Sequence, residues 1–230
     1  MKNKLRIIGG DWRSRQLSFV DAPGLRPTPA RVRETLFNWL QYEIYGKQCL
    51  DLYSGSGALG FEAASRGAKL VIQVENNAQA CRSLKDNAAV LSAGQIQVVQ
   101  NDVLRYLTGD AQAFDVVFLD PPFGQALVVQ TCKLLEQNGW LAKQAKIYVE
   151  TERHFDFSCR AFLPGTLRVN ANSLPANLSC GVSMSSTLSG GVATQIGDPA
   201  DLTGIPENWR QLKSKKAGEV GYHLFERVDC

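Results

Sequence analysis

Apolar residues along this chain gather into short continuous runs, and between the runs lie segments whose apolar positions recur every three or four residues. Strand-like runs fall near residues 49–53, 70–75, 96–100, 114–120 and 145–150, with helical spacing over 29–44, 58–66, 77–92 and 125–137. A run that is apolar throughout suits a strand covered on both faces, and strands that alternate with helices join in parallel through right-handed crossovers. The pattern predicts an α/β fold with a doubly wound, mostly parallel sheet. Thr28-Pro29 marks a helix start, with Val32, Leu36, Trp39 and Leu40 on one face. A short hairpin, residues 5–8 and 16–20 around Gly9-Gly10, is expected ahead of it, and two last strands near 209–213 and 222–227.

The first run, Cys49-Leu50-Asp51-Leu52-Tyr53, passes into Ser54-Gly55-Ser56-Gly57-Ala58-Leu59-Gly60 and an alanine-rich stretch to Arg66. Strand, glycine turn and helix in that order allow close approach of backbone to a ligand. The spacing G-x-G-x-x-G also describes a nicotinamide dinucleotide site and does not choose a cofactor alone. Asp51 tilts the choice, because a carboxylate there can hold the ammonium of an amino-acid-bearing nucleoside and would repel a pyrophosphate. Glu75 ends the run 70–75, at the usual spacing for a ribose-diol acceptor, and Asp102 follows the run 96–100, where it could meet an adenine amino group. With Asp120, four carboxylates stand at the carboxyl ends of four successive predicted strands, the ligand edge of an open α/β sheet. That conjunction favours S-adenosylmethionine.

Asp120-Pro121-Pro122-Phe123 closes the run Val116-Val117-Phe118-Leu119. The lone pair of a base NH2 is delocalised into its ring, so methylating it requires acceptors that draw the nitrogen toward tetrahedral geometry. Asp120 and a carbonyl of Pro121-Pro122 can be those acceptors. The prolines fix the backbone and remove competing donors, and Phe123 offers a face for stacking. An Asp-Pro-Pro turn can also end a buried strand with no further role.

Three segments, Asp51 to Gly60, Asp120 to Phe123 and Arg26-Pro-Thr-Pro-Ala-Arg-Val-Arg-Glu-Thr-Leu-Phe-Asn-Trp-Leu40, resemble the RsmD family of bacterial small-subunit ribosomal RNA guanine-N2 methyltransferases. The resemblance covers residues 5–152 and resumes near 205. It implies a seven-stranded, Rossmann-like sheet of the S-adenosylmethionine-dependent class. Cofactor contacts are implied at Asp51, at Tyr53, Ser54, Gly55, Gly57 and Gly60 of the turn, at Glu75 with Asn76, and at Asp102 with Val103. Base handling is implied at Asp120, Pro121, Pro122 and Phe123. The implied target is a guanine of 16S RNA, position 966 in the usual numbering, met in the small subunit or in an assembly intermediate. Asp-Pro-Pro-Phe is shared with DNA adenine-N6 enzymes, so a DNA adenine methyltransferase is the alternative, and a non-catalytic RNA-binding assembly factor or a nicotinamide-dependent reductase are rivals of other classes.

The net charge is only +3, but residues 1–34 carry eight Lys or Arg against three acids. Arg6, Arg13, Arg15, Arg26, Arg31 and Arg33, interleaved with Trp12 and Phe19, read as a surface for RNA phosphates and bases. Six scattered cysteines without a C-x-x-C pair, only two histidines, and no apolar stretch long enough to span a membrane predict a reduced cytoplasmic protein with no metal site, and a monomer is expected. Charges from Lys2 to Arg15 leave no signal-peptide core.

Two parts are therefore expected: residues 1–25 as a basic RNA-binding hairpin, and residues 26–230 as the methyltransferase domain. Residues 153–205 depart from the family pattern. Val169 to Gly197 contains no charged residue and is rich in Ser, Gly, Asn and Ala, which predicts a flexible insertion in the domain.

Overall fold

The computed structural model describes residues 2–20, 27–124, 127–155, 157 and 204–228. Among them the chain forms a hairpin, β1 (Lys2–Arg6) and β2 (Gln16–Val20), and then α1 (Ala30–Trp39), β3 (Gln48–Leu52), α2 (Ala58–Ser65), β4 (Leu70–Glu75), α3 (Ala78–Val90) and β5 (Ile96–Gln100). It continues through α4 (Val103–Leu107), β6 (Phe114–Leu119), α5 (Leu127–Gln137), β7 (Leu141–Glu152), β8 (Trp209–Ala217) and β9 (Val220–Arg227). These elements belong to the unit formed by residues 1–157 and 205–230. Most of the insertion expected over 153–205 lies outside the described residues.

Seven strands make one sheet in the order β5-β4-β3-β6-β7-β9-β8, parallel from β5 to β7 and antiparallel where β9 joins β7 and β8 joins β9. Alternate side chains feed two cores. Cys49, Val71, Val116, Phe118 and Tyr148 face α1, α2 and α3, whereas Leu50, Leu52, Ile72, Val74, Val117, Leu119 and Val149 face α4 and α5. Cys49, Cys81 and Cys132 are buried free thiols in these layers.

The structure departs from the sequence pattern in length and number of elements. Helix α1 stops at Trp39, five residues short of the expected end. Helix α4 was not expected, since five residues are too few to show periodicity. It starts because the Asp102 side chain accepts from Arg105 N at 3.0 Å, which makes this acid a helix cap.

The hairpin is docked on the domain. Leu5, Leu17 and Phe19 are buried in the core on the α1 side, so Phe19 is a core residue and does not face RNA as expected; Trp12 is half-buried against the same core. The reason is strand alternation, which turns Leu17 and Phe19 inward together. Asn87 of α3 clasps β2, accepting from Ser18 N at 3.1 Å and donating to Ser18 O at 2.8 Å. Glu62 of α2, fully buried, accepts from Ile8 N at 2.9 Å and Gly9 N at 2.8 Å, and pairs with Arg33 at 3.5 Å and Arg66 at 2.9 Å.

Removing one partner of a buried ion pair leaves an uncompensated charge. Glu62→Ala is expected to lower stability in urea by about 3 to 5 kcal/mol and to open the hairpin to limited proteolysis. A loss under about 1 kcal/mol with an unchanged cleavage pattern would remove Glu62 from this role.

Candidate active site

Because β3 to β7 run in one direction, their carboxyl ends form one edge. From β3 the chain winds outward through β4 to β5 and then returns to the other side of β3 as β6. The crevice between the ends of β3 and β6 is therefore the switch point of the sheet, where ligands of open α/β folds bind. Asp51, Gln73, Glu75, Asp120 and Glu150 all lie at this edge. Alternation puts them on the face that carries α1, α2 and α3.

The glycine turn leaves β3 here. Gly57, at φ 76°, caps α2 in a left-handed conformation that suits glycine. Gly60 admits no side chain: a Cβ there would stand 2.5 Å from Gln73 Nε2 and 2.7 Å from Asp51 Oδ2. Every glycine donor of the turn is already used within the chain. Gly55 N donates to Glu75 Oε2 at 2.9 Å, Gly57 N to Ser54 O at 2.7 Å, and Gly60 N to Asp51 Oδ2 at 3.0 Å. A dinucleotide pyrophosphate needs those donors and would meet carboxylates instead.

Asp51, 3% exposed, also accepts from Gln73 Nε2 at 3.2 Å, and burial pushes its carboxyl up to about 7. Ser54 Oγ returns to Asp51 O at 2.6 Å. Tyr53, at φ 58°, turns away and meets Thr131 of α5 at 3.0 Å. Glu75 is aimed by Asn77 N, which donates to its second oxygen at 2.8 Å; Asn76 and Asp102 are exposed, and Val103 is buried. The acceptors gathered here suit hydroxyls, an amine and an ammonium, the groups of S-adenosylmethionine, and Gln73 Oε1 is a buried acceptor with no partner among the described residues.

On the other side of the crevice, Asp120 ends β6. Thr28 Oγ1, just ahead of α1, donates to Asp120 Oδ2 at 3.4 Å. Pro121 is buried, Pro122 is exposed, and Phe123 presents 47% of its surface. Glu152 holds the loop by accepting from Gly124 N at 2.9 Å. Next to Asp120 across the ladder is Glu150, 3% exposed, which accepts from Tyr148 OH at 2.9 Å.

Of the six arginines, Arg6, Arg13, Arg15 and Arg31 are exposed on the hairpin and α1. A cleft of about 480 Å³ between these elements is lined by Lys4, Arg6, Arg13, Ser14, Thr28 and Glu34, among others. Arg33 is different: it is 2% exposed, donates to Thr28 O and Arg6 O at 3.1 Å each, and pairs with Glu62. It braces the fold from the inner wall of that cleft, with its charge engaged by Glu62. Arg26 lies outside the described residues.

A Rossmann-like sheet with an acid-lined glycine turn and an Asp-Pro-Pro-Phe loop at its switch point defines an S-adenosylmethionine-dependent methyltransferase. The profile of the family described as Conserved hypothetical protein 95 matches residues 5–160. Ribosomal RNA small subunit methyltransferase D of Escherichia coli (strain K12) is 39% identical over 224 residues, covering 97% of this chain and 90% of that protein. The protein of that name from Haemophilus influenzae is 38% identical over 229 residues, covering 98% and 95%. Among solved structures, yhhF from Escherichia coli matches with a TM-score of 0.72 at 37% identity, covering 98% of this chain and 99% of that one. The chain belongs to the family of ribosomal RNA small subunit methyltransferase D. The 16S rRNA N2 G1207 methyltransferase of Thermus thermophilus, solved with AdoMet and guanosine, shares the fold at 20% identity and a TM-score of 0.59, over the whole of this chain and 50% of that one.

Sequence reading missed Thr28 as a partner of Asp120, Gln73 beside Asp51, and the pair Glu150 and Glu152. A signal existed for Glu150: a carboxylate inside the apolar run Ile147-Tyr148-Val149-Glu150-Thr151 has to be buried against something.

Calorimetry is expected to show micromolar binding of S-adenosylhomocysteine and none of NADH. Glu75→Gln keeps the shape but removes the anion, and should weaken S-adenosylhomocysteine by about 1 to 3 kcal/mol. Binding of NADH in its place would overturn the assignment of the turn.

Proposed function

We propose that this chain methylates the exocyclic N2 amine of one guanine in 16S ribosomal RNA, position 966 in the usual numbering, acting as a cytoplasmic monomer on the small subunit or an assembly intermediate. The observation that carries the reading is the Asp120 to Phe123 loop: an acceptor carboxylate and an exposed aromatic face stand across the switch-point crevice from the glycine turn. The names of the relatives, small-subunit ribosomal RNA methyltransferases, agree with it.

The bound cofactor supplies a methyl group activated on sulfonium. Asp51 and the backbone of the turn through Tyr53, Ser54, Gly55, Gly57 and Gly60 would hold its amino-acid end, Glu75 with Asn76 would take the ribose diol, and Asp102 with Val103 would meet the adenine. Asp120 and a carbonyl of Pro121-Pro122 accept the base N–H groups, which localises the nitrogen lone pair toward the methyl carbon, while Phe123 stacks on the base. The base leaves its stack to reach this edge, at a cost of a few kcal/mol, roughly. Phosphate contacts by Arg6, Arg13, Arg15 and Arg31 offset that cost. Residues 1–25 act as an RNA-guiding arm whose described strands pack on the core, and residues 153–205 are an insertion in the domain of 26–230.

Asp120→Asn keeps the shape and removes the anion, and is expected to slow methyl transfer by about 100-fold or more while cofactor binding changes little. Full activity of this variant would place the chemistry elsewhere. A wild-type protein that binds subunit RNA without ever transferring methyl would favour an assembly factor, and transfer to adenine in DNA would favour the DNA enzyme.

For the basic surface, the double change of Arg13 and Arg15 to Ala should flatten the dependence of RNA affinity on salt. Each lost phosphate contact should reduce the slope of log affinity on log salt by about 0.7 to 0.9. An unaltered slope would return the hairpin to a solvated face.

A further inference from the structure

Beside Asp120 stands a second carboxyl group for which the proposed reaction has so far no use. Leu119 and Val149 are partners in the parallel ladder of β6 and β7, so the next residues, Asp120 and Glu150, lie side by side on one sheet face. Both touch the same small polar cluster. Thr28 donates to Asp120 Oδ2, and Tyr148, two residues back on the same face, donates to Glu150 Oε1. Tyr222 of β9 is the ladder partner of Glu150 on its other side, with Trp39 of α1 stacked on its ring at 5.5 Å. Asp51 approaches from β3 as a third acid. The cation of α1, Arg33, is turned away into its contacts with Glu62, Thr28 O and Arg6 O. Around this pair the described elements thus offer hydroxyls and further acid, while Arg33 is engaged with Glu62, Thr28 O and Arg6 O.

We propose that Glu150 is a positioning residue for the methyl transfer: with Asp120 it forms a carboxyl pair that holds one proton between them, so Glu150 governs when Asp120 is an anion able to accept from the base. The inference rests on the role given to Asp120 above. Two adjacent buried carboxylates resist carrying two charges and titrate as a unit. Burial, and after it the charge of Glu150, hold Asp120 well above the usual carboxylate range against the pull of the Thr28 hydroxyl. Burial pushes Glu150 up to about 7, with the Tyr148 and Thr28 hydroxyls opposing.

In the reaction the N2 lone pair forms the bond to the methyl carbon as the carbon–sulfur pair leaves with sulfur. The N–H bond of the resulting cation then breaks, its electron pair returns to nitrogen, and the proton passes to the Asp120 carboxylate. Glu150 sets how readily Asp120 takes that proton and later releases it to solvent.

The test follows side-chain carboxyl carbons by NMR against pH in the whole protein, alongside the pH profile of kcat on small subunits. A like charge raises the pKa of an acid, so Glu150→Gln should lower the Asp120 midpoint by about one pH unit or more, and the acidic limb of kcat should move down with it. Tyr148→Phe, which removes only a hydroxyl, should raise the Glu150 midpoint and lower that of Asp120, the opposed movement that marks a coupled pair. Midpoints that stay put in whichever variants fold, or a limb that keeps its position while only the rate falls, would overturn the pair. A wild-type protein that transfers no methyl to subunits would refute the proposed function while leaving the NMR titration to stand or fall by itself.

Discussion

One buried carboxylate holds together the parts that meet at the active edge. Glu62 takes two backbone N–H groups of the hairpin and pairs with Arg33; Arg33 donates to Thr28 O; the Thr28 hydroxyl reaches Asp120. A charge buried in a low-dielectric interior survives only when fully paired, so the helix, the hairpin and the segment before α1 are drawn to one geometry around it. The segment from Arg26 to Leu40, one of the three that carry the family resemblance, then has a physical purpose. It delivers Arg33 to the core and Thr28 to the acid at the end of β6.

The second constraint is the direction of the sheet. Parallel strands bring their carboxyl ends to one side, and this chain puts an acid at or near the end of five of them: Asp51, Glu75, Asp102, Asp120 and Glu150. Where a dinucleotide-binding turn aims free N–H groups at phosphate, this one spends them on Glu75, Ser54 and Asp51. The edge therefore offers acceptors on both sides of the crevice, Asp51 and Glu75 on one and Asp120 on the other.

Much of this was legible in the sequence because the strongest signals are local. Continuous apolar runs gave the parallel strands, the glycine spacing gave the turn, and the tetrapeptide 120–123 follows directly on β6, at the edge where its place after an apolar run puts it. Contacts between distant segments were not legible. Arg33 read as one more cation of a basic surface, yet three apolar neighbours on its helix, Val32, Leu36 and Phe37, carry it inward to meet Glu62, 29 residues away. Phe19 read as an aromatic for RNA, and strand alternation sends it to the core. Glu150 was passed over because its meaning lies in β6, a different strand, which only the register reveals.

The most direct test of the account is mass spectrometry of 16S RNA from cells lacking this gene, with and without the gene restored. The account predicts loss of one N2-methylguanine, at the position proposed above, and its return when the gene is supplied. RNA whose guanine methylation is the same with and without the gene would contradict it.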